Sequence, residues 1–222
     1  VGKEVAAMLG IIRVITLADQ PSIDLHGELI KHRFGLSVMS RCIPDQPMGV
    51  YNEETEALAV PKIIRLAQEL EQSGCTAIGI SCAADPALPE ARAAVSVPVL
   101  GAGSCAAHLA LTAAGKVGVL TILNEVPPYI RSILGEAYIG MDRPDGVVTT
   151  LDLNTPAGRT GALAGAARLV DLGAEAIVLA CTGFATIGLA AGLERELGVR
   201  ALDPILSLGA AVAVSAAGVD RN

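Results

Sequence analysis

Leu70-Glu71-Gln72-Ser73-Gly74-Cys75-Thr76-Ala77-Ile78-Gly79-Ile80-Ser81-Cys82 returns without a gap as Leu169-Val170-Asp171-Leu172-Gly173-Ala174-Glu175-Ala176-Ile177-Val178-Leu179-Ala180-Cys181. A leucine, a glycine, an alanine, an isoleucine and a cysteine recur at matching places, each pair 99 residues apart. Each copy reads as the end of a helix, a glycine that stops it in the left-handed conformation, a short apolar strand, and a cysteine just past the strand. A second echo, at a slightly larger offset, relates Gly10-Ile11-Ile12-Arg13 to Gly118-Val119-Leu120-Thr121. The period is too long for a solenoid and there are two copies. Two similar lobes related by a pseudo-twofold axis are the simpler reading.

Outward from the repeat, short apolar runs alternate with helical patterns. Leu9–Thr16, Leu36–Arg41, Ala77–Ser81, Val97–Leu100, Lys116–Thr121, Ala176–Ala180 and Val199–Leu202 read as strands. Thr55–Gln72, Pro86–Ala94, Gly158–Leu172 and Ala185–Leu197 carry helical spacing, and Ser104–Ala114 and Leu206–Ala217 are taken as helices despite their glycines and serines. The alternation predicts an α/β fold of two lobes, each a mainly parallel sheet flanked by helices. The first lobe is expected to comprise 1–102 and 203–222, with the C-terminal segment packing back on it, and the second 103–202.

Composition agrees with this class. Apolar residues make up 52% of 222 residues, yet there are two Phe, three Tyr and no Trp. The core must therefore be built from Ala, Val, Ile and Leu, as in a buried parallel sheet. A net charge of −7 without a basic run argues against a nucleic-acid surface. The longest apolar stretch, Ile205–Val219, is interrupted by serines and shorter than the ~20 residues of a membrane span. There is no basic segment followed by an apolar run to suggest a signal peptide. Five cysteines without regular spacing do not form a disulfide framework. A cytoplasmic protein with reduced thiols is expected.

In parallel α/β sheets, ligands collect beyond the carboxyl ends of the strands. Cys82 and Cys181 each stand there, before the next helix, and the pseudo-symmetry turns both toward one cleft. Asp85-Pro86 is expected to cap the helix after Cys82, and a helix N-terminus lowers a thiol's pKa. Two thiols across a planar substrate suit removal of a proton alpha to a carbonyl from one face and delivery of another to the opposite face. Backbone N–H groups of Ala83, Ala84, Thr182 and Gly183 are placed to stabilise the enolate. A cysteine at a buried strand end is also, commonly, a small hydrophobe, and duplication preserves inert residues too. Spacing alone leaves both readings open.

These residues also resemble a known family. Ile80-Ser81-Cys82-Ala83-Ala84-Asp85-Pro86-Ala87-Leu88, followed by Val97-Pro98-Val99-Leu100-Gly101, resembles the first catalytic-cysteine segment of hydantoin and allantoin racemases, within the Asp/Glu/hydantoin racemase superfamily. Val178-Leu179-Ala180-Cys181-Thr182-Gly183-Phe184-Ala185 resembles the second, usually Gly-Cys-x-Gly-Met, and Leu202-Asp203-Pro204-Ile205 resembles the Asp-Pro that follows. The resemblance implies two α/β lobes, two catalytic cysteines, no cofactor and a homo-oligomer. Ala180 and Phe184 depart from the usual Gly and Met, and Ile12–Thr16 stands where hydantoin racemases more often carry Asn-Pro-Asn. Arg13 and its repeat partner Thr121 fall at the same mouth as the cysteines, where Arg13 is a candidate to pair with a substrate carboxylate or ureide carbonyl. A solvated strand-end arginine is the plainer alternative. Gln46, in the loop Asp45–Tyr51, is placed where family members hold substrate.

Other signals carry less. Gly101-Ala102-Gly103 is a partial dinucleotide loop without the later glycine or acidic partner. His26, His32 and His108 form no metal-ligand pattern with the cysteines, so no metal is expected. Cys75 and Cys105 are read as packing residues, and Cys42, at another strand end, has no repeat partner. Gly-x-Ser-x-Gly is absent. The expected activity is cofactor-independent racemisation of a 5-substituted hydantoin or related ureide through paired cysteines. The alternatives are an aspartate/glutamate-type amino-acid racemase and a non-catalytic protein that binds a small molecule between its lobes. No nucleic acid or membrane partner is expected.

Overall fold

Each copy of the repeat becomes an inner strand of its own four-stranded parallel sheet. The computed structural model describes residues 8–216. The first sheet is built from β1 (Met8–Arg13), β2 (Ser37–Cys42), β3 (Ala77–Ser81) and β4 (Val99–Gly101) in the order β2-β1-β3-β4. The second uses β5 (Val117–Leu120), β6 (Tyr138–Asp142), β7 (Ala176–Leu179) and β8 (Arg200–Leu202) in the matching order β6-β5-β7-β8. Register aligns Arg13 with Ser81 in one lobe and Leu120 with Leu179 in the other, so the ends of the two inner strands lie level in each.

The connecting helices are α1 (Gln20–Phe34), α2 (Glu53–Gln72), α3 (Leu88–Ala94), α4 (Ala102–Ala113), α5 (Pro128–Leu134), α6 (Pro156–Asp171), α7 (Gly183–Thr186), α8 (Leu189–Leu197) and α9 (Pro204–Ala216). Both faces of each sheet are covered, which is why the inner strands read as unbroken apolar runs. Gly74 and Gly173 lie just beyond α2 and α6 with φ of +91° and +97°, where a side chain is strained. Ala106, Ala107 and Ala110 of α4 pack with Val117, Val119 and Val178 of the second sheet. Ile205, Leu208 and Val212 of α9 pack with Leu9 and Ile11 of the first and with Ile30 of α1. Of the lobe ranges expected from sequence, residues 1–7 and 217–222 lie outside the described residues.

Several elements differ from the sequence expectation. β6 is an edge strand, half-buried along its length, so it lacks the apolar run of an inner strand. α1 buries only His26, Gly27 and Ile30, and its apolar periodicity is correspondingly weak. The single helix expected over Ala185–Leu197 is two, because Gly188 takes φ +64° between them. The first strand stops at Arg13 rather than Thr16. Thr16 instead turns back, its hydroxyl donating to the Ile43 carbonyl and accepting from the Gln46 amide. Among the described residues no helix is long and apolar enough to cross a membrane.

Candidate active site

The strand ends of both lobes open on one cavity of about 360 Å³. Cys82 enters it directly after β3, and Cys181 enters after β7 and Ala180. Ala83, Ala84, Thr182 and Gly183 line it as well, so the fold brings together both cysteines and the four small residues beside them. Apolar walls come from Val14, Ile15, Leu17, Val50, Ile122 and Leu123.

The thiols sit in unequal surroundings. Burial pushes both above the ordinary cysteine range. Against this, Cys82 has one backbone donor, the Ala84 N–H, and it is further raised by Cys181, Asp85 and Glu56. Cys181 has three opposing groups: the Thr150 hydroxyl 3.6 Å from its sulfur and the backbone N–H groups of Gly183 and Phe184. The amides after each cysteine therefore act in the direction the sequence suggested, but burial outweighs them.

Asp85 does not cap the helix that follows it. α3 begins only at Leu88, after Ala87, with no side-chain cap. The Asp85 carboxylate instead reaches the start of α4, accepting from the Gly103 and Ser104 amides at 2.8 and 2.6 Å and from the Ser104 hydroxyl. Its backbone bends sharply there, with φ of +53° at Asp85 and +58° at Ala87. A side chain on Gly103 would collide with the Ala83 carbonyl, so the Cys82 loop and the α4 N-terminus are packed as one unit. Burial raises the Asp85 carboxyl to about 6 despite these donors.

Arg13 lines the cavity at the end of β1 and is 6% exposed. One guanidinium nitrogen donates to the Ser22 and Ile23 carbonyls at 2.7 and 2.9 Å, which pins the first turn of α1 to the sheet. Burial lowers it to about 10, so it stays a cation at neutral pH. Gln46 and Thr121 are not among the lining residues. The Gln46 amide donates to the Gly49 and Thr55 carbonyls and its oxygen accepts from Lys62, all within its own loop and α2. Thr121 is fully buried, its hydroxyl accepting from the Leu123 amide in the turn after β5. Cys42 faces a separate recess lined by Pro44, Lys62 and Arg65.

Among the lining residues that the sequence reading did not place in the site are His26, Ser81, Thr150 and Thr186. His26 is 1% exposed, its Nδ1 lying 2.7 Å from the Ser81 Oγ and its Nε2 2.9 Å from the Thr186 Oγ1. Burial, then the Arg13 charge, holds it well below the ordinary histidine range, so it is neutral. Thr150 comes from the loop before α6, the repeat equivalent of the loop before α2 that supplies Gly49 and Val50. That equivalence was the available signal for Thr150. Gly183 is required by it, since a side chain there would strike the Thr150 hydroxyl. Among the described residues no group of three or more His, Cys, Asp or Glu side chains is arranged to hold a metal.

The chain as a whole has relatives of known description. A family model described as Asp/Glu/Hydantoin racemase matches residues 26–212. A hydantoin racemase of Rhizobium meliloti is 28% identical over 169 residues, covering 72% of this chain and 68% of the relative. Among solved structures, an allantoin racemase from Klebsiella pneumoniae superposes with a TM-score of 0.82 at 22% identity, over 95% of this chain and 88% of the other. A glutamate racemase from Francisella tularensis gives 0.67 at 14% identity, over 95% and 81%. These structural likenesses extend over both lobes.

Proposed function

The chain belongs to the Asp/Glu/hydantoin racemase family and is an isomerase of the racemase type, and from that premise we propose that it racemises a 5-substituted hydantoin or related ureide through Cys82 and Cys181. The observation that carries the reading is that two thiols at equivalent strand ends of two lobes line one cavity. The thiolate of one removes the proton from the substrate's alpha carbon. The electron pair moves into the adjacent carbonyl as an enolate, and the thiol of the other gives its proton to the opposite face. The product leaves with thiol and thiolate exchanged, ready for the other enantiomer. The ring carbonyls make this proton more acidic than that of a free amino acid. Burial raises both thiols; Cys181, with three groups opposing burial, is the one we assign the thiolate when it forms, and Cys82, which Asp85 and Glu56 raise further, the thiol. Apolar walls suit the substituent on the ring.

One observation favours a second substrate class. Arg13 is the one charged side chain among the lining residues, and a guanidinium suits a carboxylate. Aspartate and glutamate are therefore the next substrates to test. The decisive experiment follows the optical rotation of single enantiomers of a hydantoin panel in D2O, with Cys82→Ser and Cys181→Ser beside the parent. Loss of rotation with deuterium entering the alpha carbon, abolished by either substitution, supports the two-thiol racemase. Racemisation that survives either substitution refutes the mechanism. Inertness toward hydantoins together with turnover of an amino acid moves the substrate to the second class.

A further inference from the structure

We propose that His26 is a positioning residue that holds Cys82 in register with Cys181 by bridging the two lobes, an inference that rests on the two-thiol reading above. The histidine is fixed to the first lobe three times over. Arg13 grips the first turn of its helix through the Ser22 and Ile23 carbonyls. Gly27, the next residue, lets α1 approach β2 so closely that a side chain there would come within 2.6 Å of the Ser40 Oγ and 2.9 Å of Val38. The ring's Nδ1 then bonds the Ser81 hydroxyl, one residue before Cys82. Its other nitrogen reaches Thr186, in the helix that follows Cys181.

Ser81 is tied to the second lobe a second time, since its carbonyl accepts from the Thr182 hydroxyl at 3.4 Å. The residue before one cysteine is thus bonded, directly and through the imidazole, to the stretch after the other. A neutral imidazole has one donor and one acceptor nitrogen, so one hydroxyl donates to the ring and the other accepts from it. Racemisation needs both sulfurs aligned on opposite faces of one carbon, and a displacement of ~1 Å can cost about a hundredfold in rate. Exchange on a single face needs only one sulfur. Loosening the bridge should therefore separate the two processes.

The test uses the full chain with His26→Asn and the milder Thr186→Val. Inversion is read by polarimetry, single-face exchange by deuterium entry with retained configuration, and alignment by dibromobimane cross-linking of Cys82 to Cys181. The expected result is a fall of about tenfold or more in inversion and a clear fall in cross-linking, while iodoacetamide still labels each cysteine singly and exchange with retention persists. Unchanged inversion and cross-linking in both variants would overturn the proposal. So would exchange and inversion falling by one common factor, which marks a general loss of fold. If the parent protein racemises nothing, the functional reading fails by itself, and the cross-linking arm still decides whether His26 sets the spacing of the two thiols.

Discussion

Replacing Thr150 by valine isolates what one hydroxyl does for Cys181. Valine keeps the branched shape, so the contact that Gly183 makes with this side chain is preserved. What disappears is the hydroxyl 3.6 Å from the sulfur. A hydrogen bond to a charged group contributes about 1.5–3 kcal/mol, and the long separation places this one at the lower end. A loss of about 1.5 kcal/mol lowers the thiolate fraction at fixed pH roughly tenfold. Burial already holds the Cys181 thiol high, and removing a group that opposes burial raises it further. The rate at which iodoacetamide alkylates Cys181 should drop about tenfold near pH 8, with its pH profile moved to the alkaline side by about one unit. Peptide mass spectrometry reads each cysteine separately, and Thr150→Ser, which keeps the hydroxyl, should restore most of the rate. Cys181 alkylating at the parent rate in Thr150→Val would refute the argument. An equal fall at Cys82 would do so too, since Thr150 is not among the groups acting on that thiol.

Two further outcomes follow from the same geometry. Asp85 keeps its proton up to pH about 6 when folded and releases it near 3.8 when unfolded, so between these values the folded state binds more protons and stability falls as pH rises. The parent should lose roughly 3 kcal/mol relative to Asp85→Asn between pH 3.5 and 7, read as the difference between two urea-unfolding series; a flat difference refutes the assignment. Gly183→Ala drives a methyl against the Thr150 hydroxyl and to 2.9 Å from Leu153. It should cost about 1–3 kcal/mol of stability and slow racemisation by displacing Cys181, as thermal melts and initial rates will show.

The sequence disclosed the two-lobed frame because its inner strands are buried on both faces and so carry apolar runs that survive in both copies of the repeat. The cysteine pair was legible for the same reason. Edge strand β6 and helix α1 were not, since half-buried or weakly amphipathic segments leave no clear period. Asp85 misled because capping rules look three residues ahead, whereas its partners, Gly103 and Ser104, stand 18 and 19 residues on. His26 looked like one of three unrelated histidines. Its significance lies in Ser81 and Thr186, 55 and 160 residues away, and separations of that kind are settled by tertiary packing alone.

Duplication repeated the frame but not the solvation of the two sulfurs. Cys181 has three groups that oppose burial; Cys82 has one, with Asp85 and Glu56 acting the other way. In a two-thiol racemase this asymmetry cannot favour one enantiomer in kcat/KM, because the two enantiomers are equal in free energy and the ratio of the two constants must equal the equilibrium constant of one. It acts instead on the protonation state of the free enzyme. Burial raises both thiols, but the enantiomer whose alpha proton faces Cys181 draws on the thiolate that more groups support, whereas the other needs the less supported thiolate at Cys82. Saturating rates can therefore differ between the two directions while kcat/KM stays matched. Weakening the donors on Cys181 should draw the two protonation forms toward equal population and narrow that difference.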